Sequence, residues 1–573
     1  MDKILENIII EADAKQVSDE ETFLALIKES LKGQNIASFP SNIILRKTYG
    51  AMIKEGKISK NPKLEKILVT KKMRSLSGVS IITVLTKPWP CPGECVYCPT
   101  EADVPKSYLA SEPAVMRAIL CDYEPYRQVA ARLASLKIEG HPTDKIELIV
   151  IGGTFSALPR DYQEDFIKEC FRALNGVPSV IPAEAGIQSS SDKKEEGTDS
   201  GQARMTEKRF LHSQPALSAV ERGRNDSLED AKKKNEIAKH RCVGLTLETR
   251  PDYITKKEVK WFRYLGATRV ELGVQSVFDD VLKFNKRGHG VDSTAQATKL
   301  LKDAGFKICY HMMPNLPGSN LEKDLEMFKI IFTDARFQPD YVKIYPCMVT
   351  KGSELYDLWK AGKYQPYSDE ELEKLICEIK KTVPYHVRIM RLIRDIPSSD
   401  IEAGSKVSNL RQNAQSKLEK EGEKCKCIRC REIGQNQISK GIDSGQARMT
   451  KLFKEEYDAS EGREIFLSYE SENRDFLYAL LRLRFPHETY LSELDGCAII
   501  REVHTYGQQI KIGKKGETQH KGLGKNLIQE AEKISRDAGY KKVAVISGIG
   551  VRDYYKKIGY KLDGEYMVKV LMS

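Results

Sequence analysis

Long apolar runs are missing from this chain of 573 residues. None reaches the roughly 18 residues that a membrane-spanning helix needs, so no membrane partner is expected. The start, Met1-Asp-Lys-Ile-Leu-Glu-Asn, turns acidic at once and lacks the layout of a secretion signal. Without that route to an oxidising compartment, the 13 cysteines argue for reduced thiols and metal ligands and against a disulfide framework. A cytoplasmic protein is expected. What is present fits a soluble globular chain: 40% hydrophobic and 30% charged residues, enough length for two to four domains.

Three of the cysteines form one compact motif. Cys91, Cys95 and Cys98 lie in Lys87-Pro-Trp-Pro-Cys91-Pro-Gly-Glu-Cys95-Val-Tyr-Cys98, spaced C-x3-C-x2-C. A zinc knuckle needs a fourth ligand nearby, and no further cysteine follows until Cys121. Three thiolates on a short loop suit three irons of a 4Fe–4S cluster, with the fourth iron open to the amino and carboxylate groups of S-adenosylmethionine (SAM).

From residue 79 to about 350, β-rich runs (79–86, 145–151, 242–248, 269–275, 307–313, 341–347) alternate with helical patterns (161–174, 254–265, 291–304, 321–332). That alternation predicts right-handed βαβ units and a parallel sheet, an open (β/α)6 barrel with its chemistry at the strand C-terminal ends. The rhythm breaks between 151 and 242. There Gly197–Thr206 nearly repeats as Gly441–Thr450, the two decamers differing only at Thr198 and Ile442. Repeats of a fold carry a hydrophobic period, and these do not. Residues 178–235 therefore read as an inserted, disordered loop.

The remaining segments divide in the same way. Residues 1–75 hold ten basic residues between 41 and 74, among them Lys54, Lys57 and Lys60, as a polyanion-binding region would. The barrel takes 76–384. A basic linker, 385–463, carries Cys425, Cys427 and Cys430 as C-x-C-x2-C. Residues 464–573 read as a second α/β unit with strands near 464–470, 475–485, 497–503, 508–512, 541–546 and 566–571, and helices at 522–537 and 552–558.

In that unit, Gln519-His-Lys-Gly522-Leu-Gly524-Lys525 precedes a helix. Glycines there let backbone N–H groups approach a pyrophosphate at a helix N-terminus. With Val543–Ile546 and Val551-Arg-Asp-Tyr554-Tyr555, the order resembles the acetyl-CoA-binding core of GNAT acetyltransferases. Together with Met116–Ile119, Ile151-Gly-Gly-Thr-Phe155, Glu248-Thr-Arg-Pro-Asp252, Glu271–Ser276, His311–Pro314, Arg394–Pro397 and Arg431–Gly434, the chain resembles the Elongator catalytic subunit family of tRNA-uridine carboxymethyl-forming enzymes.

The resemblance implies a radical-SAM barrel followed by a GNAT-like α/β domain, and roles for particular residues. Cys91, Cys95 and Cys98 would hold the cluster, and Gly152, Gly153 and Thr154 would receive the SAM amino group. Lys145, Glu502, Val503, His504, Thr505, Leu523, Gly524, Lys525 and Tyr555 would bind acetyl-CoA, with Tyr555 protonating the leaving thiolate. Cys425, Cys427 and Cys430 would bind zinc with a fourth ligand that spacing does not identify; three free thiols remain the alternative. The implied reaction places a carboxymethyl-type group on carbon 5 of the wobble uridine of tRNA. It requires an electron donor for the cluster and is compatible with a homodimer. A protein lysine acetyltransferase with the iron–sulfur barrel as scaffold is the competing reading.

Overall fold

The computed structural model describes residues 2–32, 39–70, 77–176, 226–434, 450–507 and 522–571. Both decamers, save Thr450, and the strand expected at 508–512 lie outside the described residues. The first sheet contains seven parallel strands in sequence order: β1 (Ser80–Leu85), β2 (Lys145–Ile151), β3 (Arg241–Thr249), β4 (Arg269–Gln275), β5 (Lys307–Met312), β6 (Tyr341–Ile344) and β7 (Arg388–Arg391). β1 and β7 each pair on one side only, so the sheet is an open barrel with a seam between its two edges. The seventh strand extends the barrel past residue 384 into the expected linker. Its four residues, Arg-Ile-Met-Arg, are too short and too charged to announce a strand.

Period-two alternation explains both faces of this sheet. Ile146, Leu148 and Val150 of β2, Val270 and Leu272 of β4, and Ile308 and Tyr310 of β5 join one apolar core with the crossing helices. The alternate positions carry Lys145, Glu147, Arg269, Glu271, Lys307 and His311; of these, Lys145, Glu147, Arg269, Lys307 and His311 line a cavity inside the barrel.

The expected loop 178–235 needs correction at its end. Leu228–Asn235 is a helix, opened by a reciprocal cap between Ser227 and Asp230. It buries Leu228 and Ala231 in the barrel core, and Lys232 Nζ donates to the Tyr264 carbonyl at 2.7 Å. Its run of lysines and lack of a long apolar stripe hid a helix only eight residues long.

The second sheet runs in the order β13-β14-β12-β11-β10-β9-β8, with β8 (Lys451–Ala459), β9 (Gly462–Glu470), β10 (Leu477–Phe485), β11 (Cys497–Thr505), β12 (Lys542–Val545), β13 (Lys561–Asp563) and β14 (Tyr566–Val570). The domain therefore begins at 451 and not at 464. β8 is an edge strand, Lys-Leu-Phe-Lys-Glu-Glu-Tyr-Asp-Ala, partly exposed and charged as edges often are, and it reads as linker. This sheet packs under the N-terminal ends of the barrel strands. Arg501 donates to Asp340 at 2.8 Å and to the Phe306 carbonyl at 2.7 Å, and Arg484 pairs with Asp303. Gly548 sits so close to the Val243 carbonyl that a Cβ would come within 2.2 Å of its oxygen, which makes glycine a condition of this packing.

The N-terminal region is a helical unit of Asp2–Ala14, Glu20–Leu31, Asn42–Lys54 and Pro62–Ile67, with its own core of Leu5, Ile8, Phe23, Ile27, Leu45 and Tyr49. Part of its basic charge is structural. Arg46 donates to the Glu65 carbonyl at 3.1 Å, and Lys57 pairs with Glu6 and Glu55.

Candidate active-site cavity

One cavity of about 1270 Å³ connects the two chemistries suggested by the sequence. Near the C-terminal strand ends it is lined by Cys91, Cys95, Cys98, Gly153 and Thr154, and near the N-terminal ends by Lys145, Arg269 and Lys307. Glu502, Val503, His504, Thr505, Gly524, Lys525 and Tyr555 complete the lower wall. Six residue steps along β2, at about 3.3 Å each, put roughly 20 Å between its two ends. The cavity therefore runs the length of the barrel. Gly152 and Leu523 do not line it themselves. Gly152 adopts φ +137°, and a Cβ there would lie 2.1 Å from Thr86 Oγ1, so the turn at the end of β2 requires glycine.

At the upper end, Cys95 and Cys98 lie together while Cys91 is exposed. The hydrogen bond from Cys98, then Arg287, pulls the Cys95 thiol down against the effect of burial. Arg287 Nη1 lies 3.5 Å from Cys95 Sγ. Among the described residues the three sulfurs do not form a group within 4.8 Å, whereas those of Cys425, Cys427 and Cys430 do. A single zinc ion with Zn–S near 2.3 Å needs sulfurs about 4 Å apart. The wider upper triad fits a cluster, in which each thiolate holds a different iron; the tight lower triad fits one ion. Lys380 Nζ lies 3.5 Å from Cys430 Sγ, and no fourth metal-ligating side chain joins that group among the described residues.

At the lower end, Lys145 is largely withdrawn from water, and burial lowers the affinity of its amine for a proton. It is not the surface lysine that its place at a strand entrance suggests. Tyr555 is buried, its phenol pushed up by burial so that the proton stays on the oxygen. Tyr554 is more exposed and also reaches the cavity. β11 pairs with β12 only from Cys497 to Ile500. Beyond that point the two strands part, and Val503 and Thr505 border the gap. Gly522, at φ +99°, caps the following helix Leu523–Asp537. Glu502 faces the domain interface, paired with Arg482 at 2.9 Å and hydrogen-bonded by Tyr341. His504 Nε2 lies 2.7 Å from the Ser77 carbonyl.

Between the two ends stands a charged group to which the sequence assigns no role, although Glu248, Glu271 and His311 lie in motifs that carry the resemblance. His311 Nε2 lies 2.8 Å from Glu271, Lys343 pairs with the same carboxylate, and Tyr108 donates to Glu248 at 2.8 Å. The available signal was alternation: Lys-Ile-Glu-Leu, Arg-Val-Glu-Leu and Lys-Ile-Cys-Tyr-His place ionisable residues every second position on strands whose other face is apolar.

Residues 221–331 match the radical SAM superfamily, and 339–420 match its C-terminal domain. A tRNA uridine(34) acetyltransferase of Methanocaldococcus jannaschii is 43% identical, covering 99% of this chain and 97% of the relative. That of Dehalococcoides mccartyi is 45% identical over 87% of this chain and 99% of its own. Elongator complex protein 3 of Homo sapiens is 38% identical over 89% and 88%. The solved structure of Methanocaldococcus infernus Elp3, lacking residues 1–46, superposes with a TM-score of 0.69 at 42% identity, covering 87% of this chain and all of that one. The cavity thus belongs to a radical-SAM barrel, a class that works with a 4Fe–4S cluster and SAM, and the chain is a member of the Elp3 family.

Proposed function

We propose that this protein modifies the wobble uridine of tRNA, adding a two-carbon unit from acetyl-CoA to carbon 5 by radical chemistry. The observation that carries this reading is the single cavity joining the Cys91–Cys98 loop to Lys145 and Tyr555. A lysine acetyltransferase needs only the lower end. The family supports the substrate, since its relatives carry the name tRNA uridine(34) acetyltransferase.

Cys91, Cys95 and Cys98 would hold the cluster, and the Gly152–Thr154 turn would seat SAM beside it. When bound, these supply a carbon radical able to take hydrogen from a methyl group. The remaining work falls to this chain's own residues. The parting of β11 and β12 and the Gly522–Lys525 turn support a GNAT-like acetyl-CoA site, with backbone N–H groups of Val503–Thr505 beside pantetheine and those after Gly522 on pyrophosphate. Lys145, held in low-dielectric surroundings, directs the acetyl end into the barrel. Tyr555 keeps its proton and donates it to the thiolate that leaves when the thioester is hydrolysed.

Cys425, Cys427 and Cys430 would close around zinc and fasten the segment after β7 to the domain interface. The N-terminal helices and the interdomain cleft would hold tRNA, with an anticodon base unstacked to enter. Anaerobic reconstitution tests the reading: the protein should bind about four irons and cleave SAM when reduced. Cys95→Ala should lose both while the C-terminal domain keeps its affinity for CoA. SAM cleavage by the variant would contradict the assignment.

A further inference from the structure

Burying an N–H donor without an acceptor is costly, and two guanidinium groups at the barrel seam each keep one in that position. Arg429 belongs to the short helix Ile428–Arg431, which is anchored to the chain before β7 by the Ile428 N–H donating to the Val387 carbonyl at 3.0 Å. Its Nε is buried without a hydrogen-bond partner, and no carboxylate pairs with it among the described residues. Arg411, on the helix Leu410–Lys420, donates through Nη2 to the Ile389 carbonyl at 3.1 Å, while its Nη1 is buried and unpartnered. The neighbouring arginines are settled: Arg388 pairs with Glu432, and Arg391 with Asp395 at 2.8 Å.

The position of the pair is informative. Arg429 lines the cavity at β7, the edge strand that faces the unpaired edge of β1 across the seam. The cavity that Arg429 lines also carries Arg388, Arg391 and Arg394 from the same edge of the barrel. The acetyl-CoA site proposed above lies at the C-terminal domain, around Val503–Thr505 and Gly522–Lys525, so a phosphate at the β7 edge belongs to the other substrate, the phosphodiester chain of the RNA.

Building on the proposed function, we infer that Arg411 and Arg429 form a phosphate clamp for the substrate RNA backbone, and that the seam between β1 and β7 is the door through which the target base enters the barrel. The clamp holds the phosphodiester beside the flipped nucleotide. Guanidinium forks suit this task because they engage phosphate through two parallel N–H bonds.

The test uses the full-length protein and an anticodon stem-loop RNA carrying an unmodified wobble uridine. R411Q and R429Q together should weaken RNA binding roughly ten- to a hundredfold. They should also reduce the slope of log affinity against log salt by about 0.7–0.9 for each arginine–phosphate pair abolished. R429K should keep the slope and recover part of the affinity. CoA affinity should not change. Thermal stability of R429Q should equal or exceed that of the parent, since it removes a buried, unpartnered N–H donor; a merely structural arginine would lower it. In the parent, bound RNA should protect Arg411 and Arg429 from phenylglyoxal, and CoA should not. Unchanged RNA affinity and salt slope in the double variant would overturn the clamp while leaving the proposed function standing. Loss of CoA affinity with normal RNA binding would also overturn it, assigning the phosphate to the cofactor. Failure of the parent to bind the RNA would instead refute the proposed function, and the clamp with it.

Discussion

At the scale of single residues, the chemistry depends on groups that burial has changed. Tyr555 is the clearest case: burial holds its phenol protonated far above neutral pH, so it can give a proton but not take one. Tyr555→Phe should lower acetyl-CoA turnover roughly a hundredfold with little loss of RNA affinity, measured by thiol release and by RNA binding on the same preparation. Equal turnover would remove the donor role. Spacing alone singled out Cys91 and Gly524, both of which line the cavity, because backbone approach and metal ligation restrict residue type. That Glu271, His311 and Lys343 form one ion group was not legible, since alternation shows only that they share a face, and their contact emerges when neighbouring strands are set in register.

At the scale of elements, two features carry testable consequences. The helix Leu228–Asn235 reads as insertion in the sequence but completes the barrel core. A deletion stopping at residue 225 spares it, and one running to 235 removes it. Denaturant titration should find the longer deletion less stable by roughly 3–5 kcal/mol, the cost of emptying a buried apolar site; equal stabilities would make the helix dispensable. The second feature is the ionic layer between the domains. Asp340→Asn leaves Arg501 and Arg482 poorly compensated and should cost about 3–5 kcal/mol in the same assay.

The same layer sets a pH limit. Burial pushes the Glu502 carboxyl up, but Arg482 and Lys307 outweigh it and hold it down to about 2. A carboxyl lowered by folding stabilises the folded state above its ordinary range near 4.5 and loses that contribution as pH falls toward 2. Interdomain packing should therefore weaken across that window, seen as earlier thermal unfolding of the C-terminal domain, and should not weaken between pH 6 and 8. The strands with apolar alternation were readable in advance. β7 and β8 were not, because edge strands are short or charged and their pairing is dictated by a neighbour that local pattern does not reveal.

At the scale of the molecule, the barrel acts as a passage. Its outward face makes the core, its inward face is ionic, and the C-terminal domain seals its lower end against Lys145 and Tyr555. The sequence made both domains and their order legible, but not that they share one cavity, which depends on close approaches such as Gly548 against β3. Shared space is the central claim, and isotopic transfer tests it directly. Reconstituted protein would be incubated with tRNA and acetyl-CoA carrying carbon-13 in both acetyl positions, with and without SAM. Nucleoside mass analysis should then find both labelled carbons on the wobble uridine, and only when SAM is present. Label that remains on CoA, appears on protein lysines instead, or reaches uridine equally well without SAM would contradict the account.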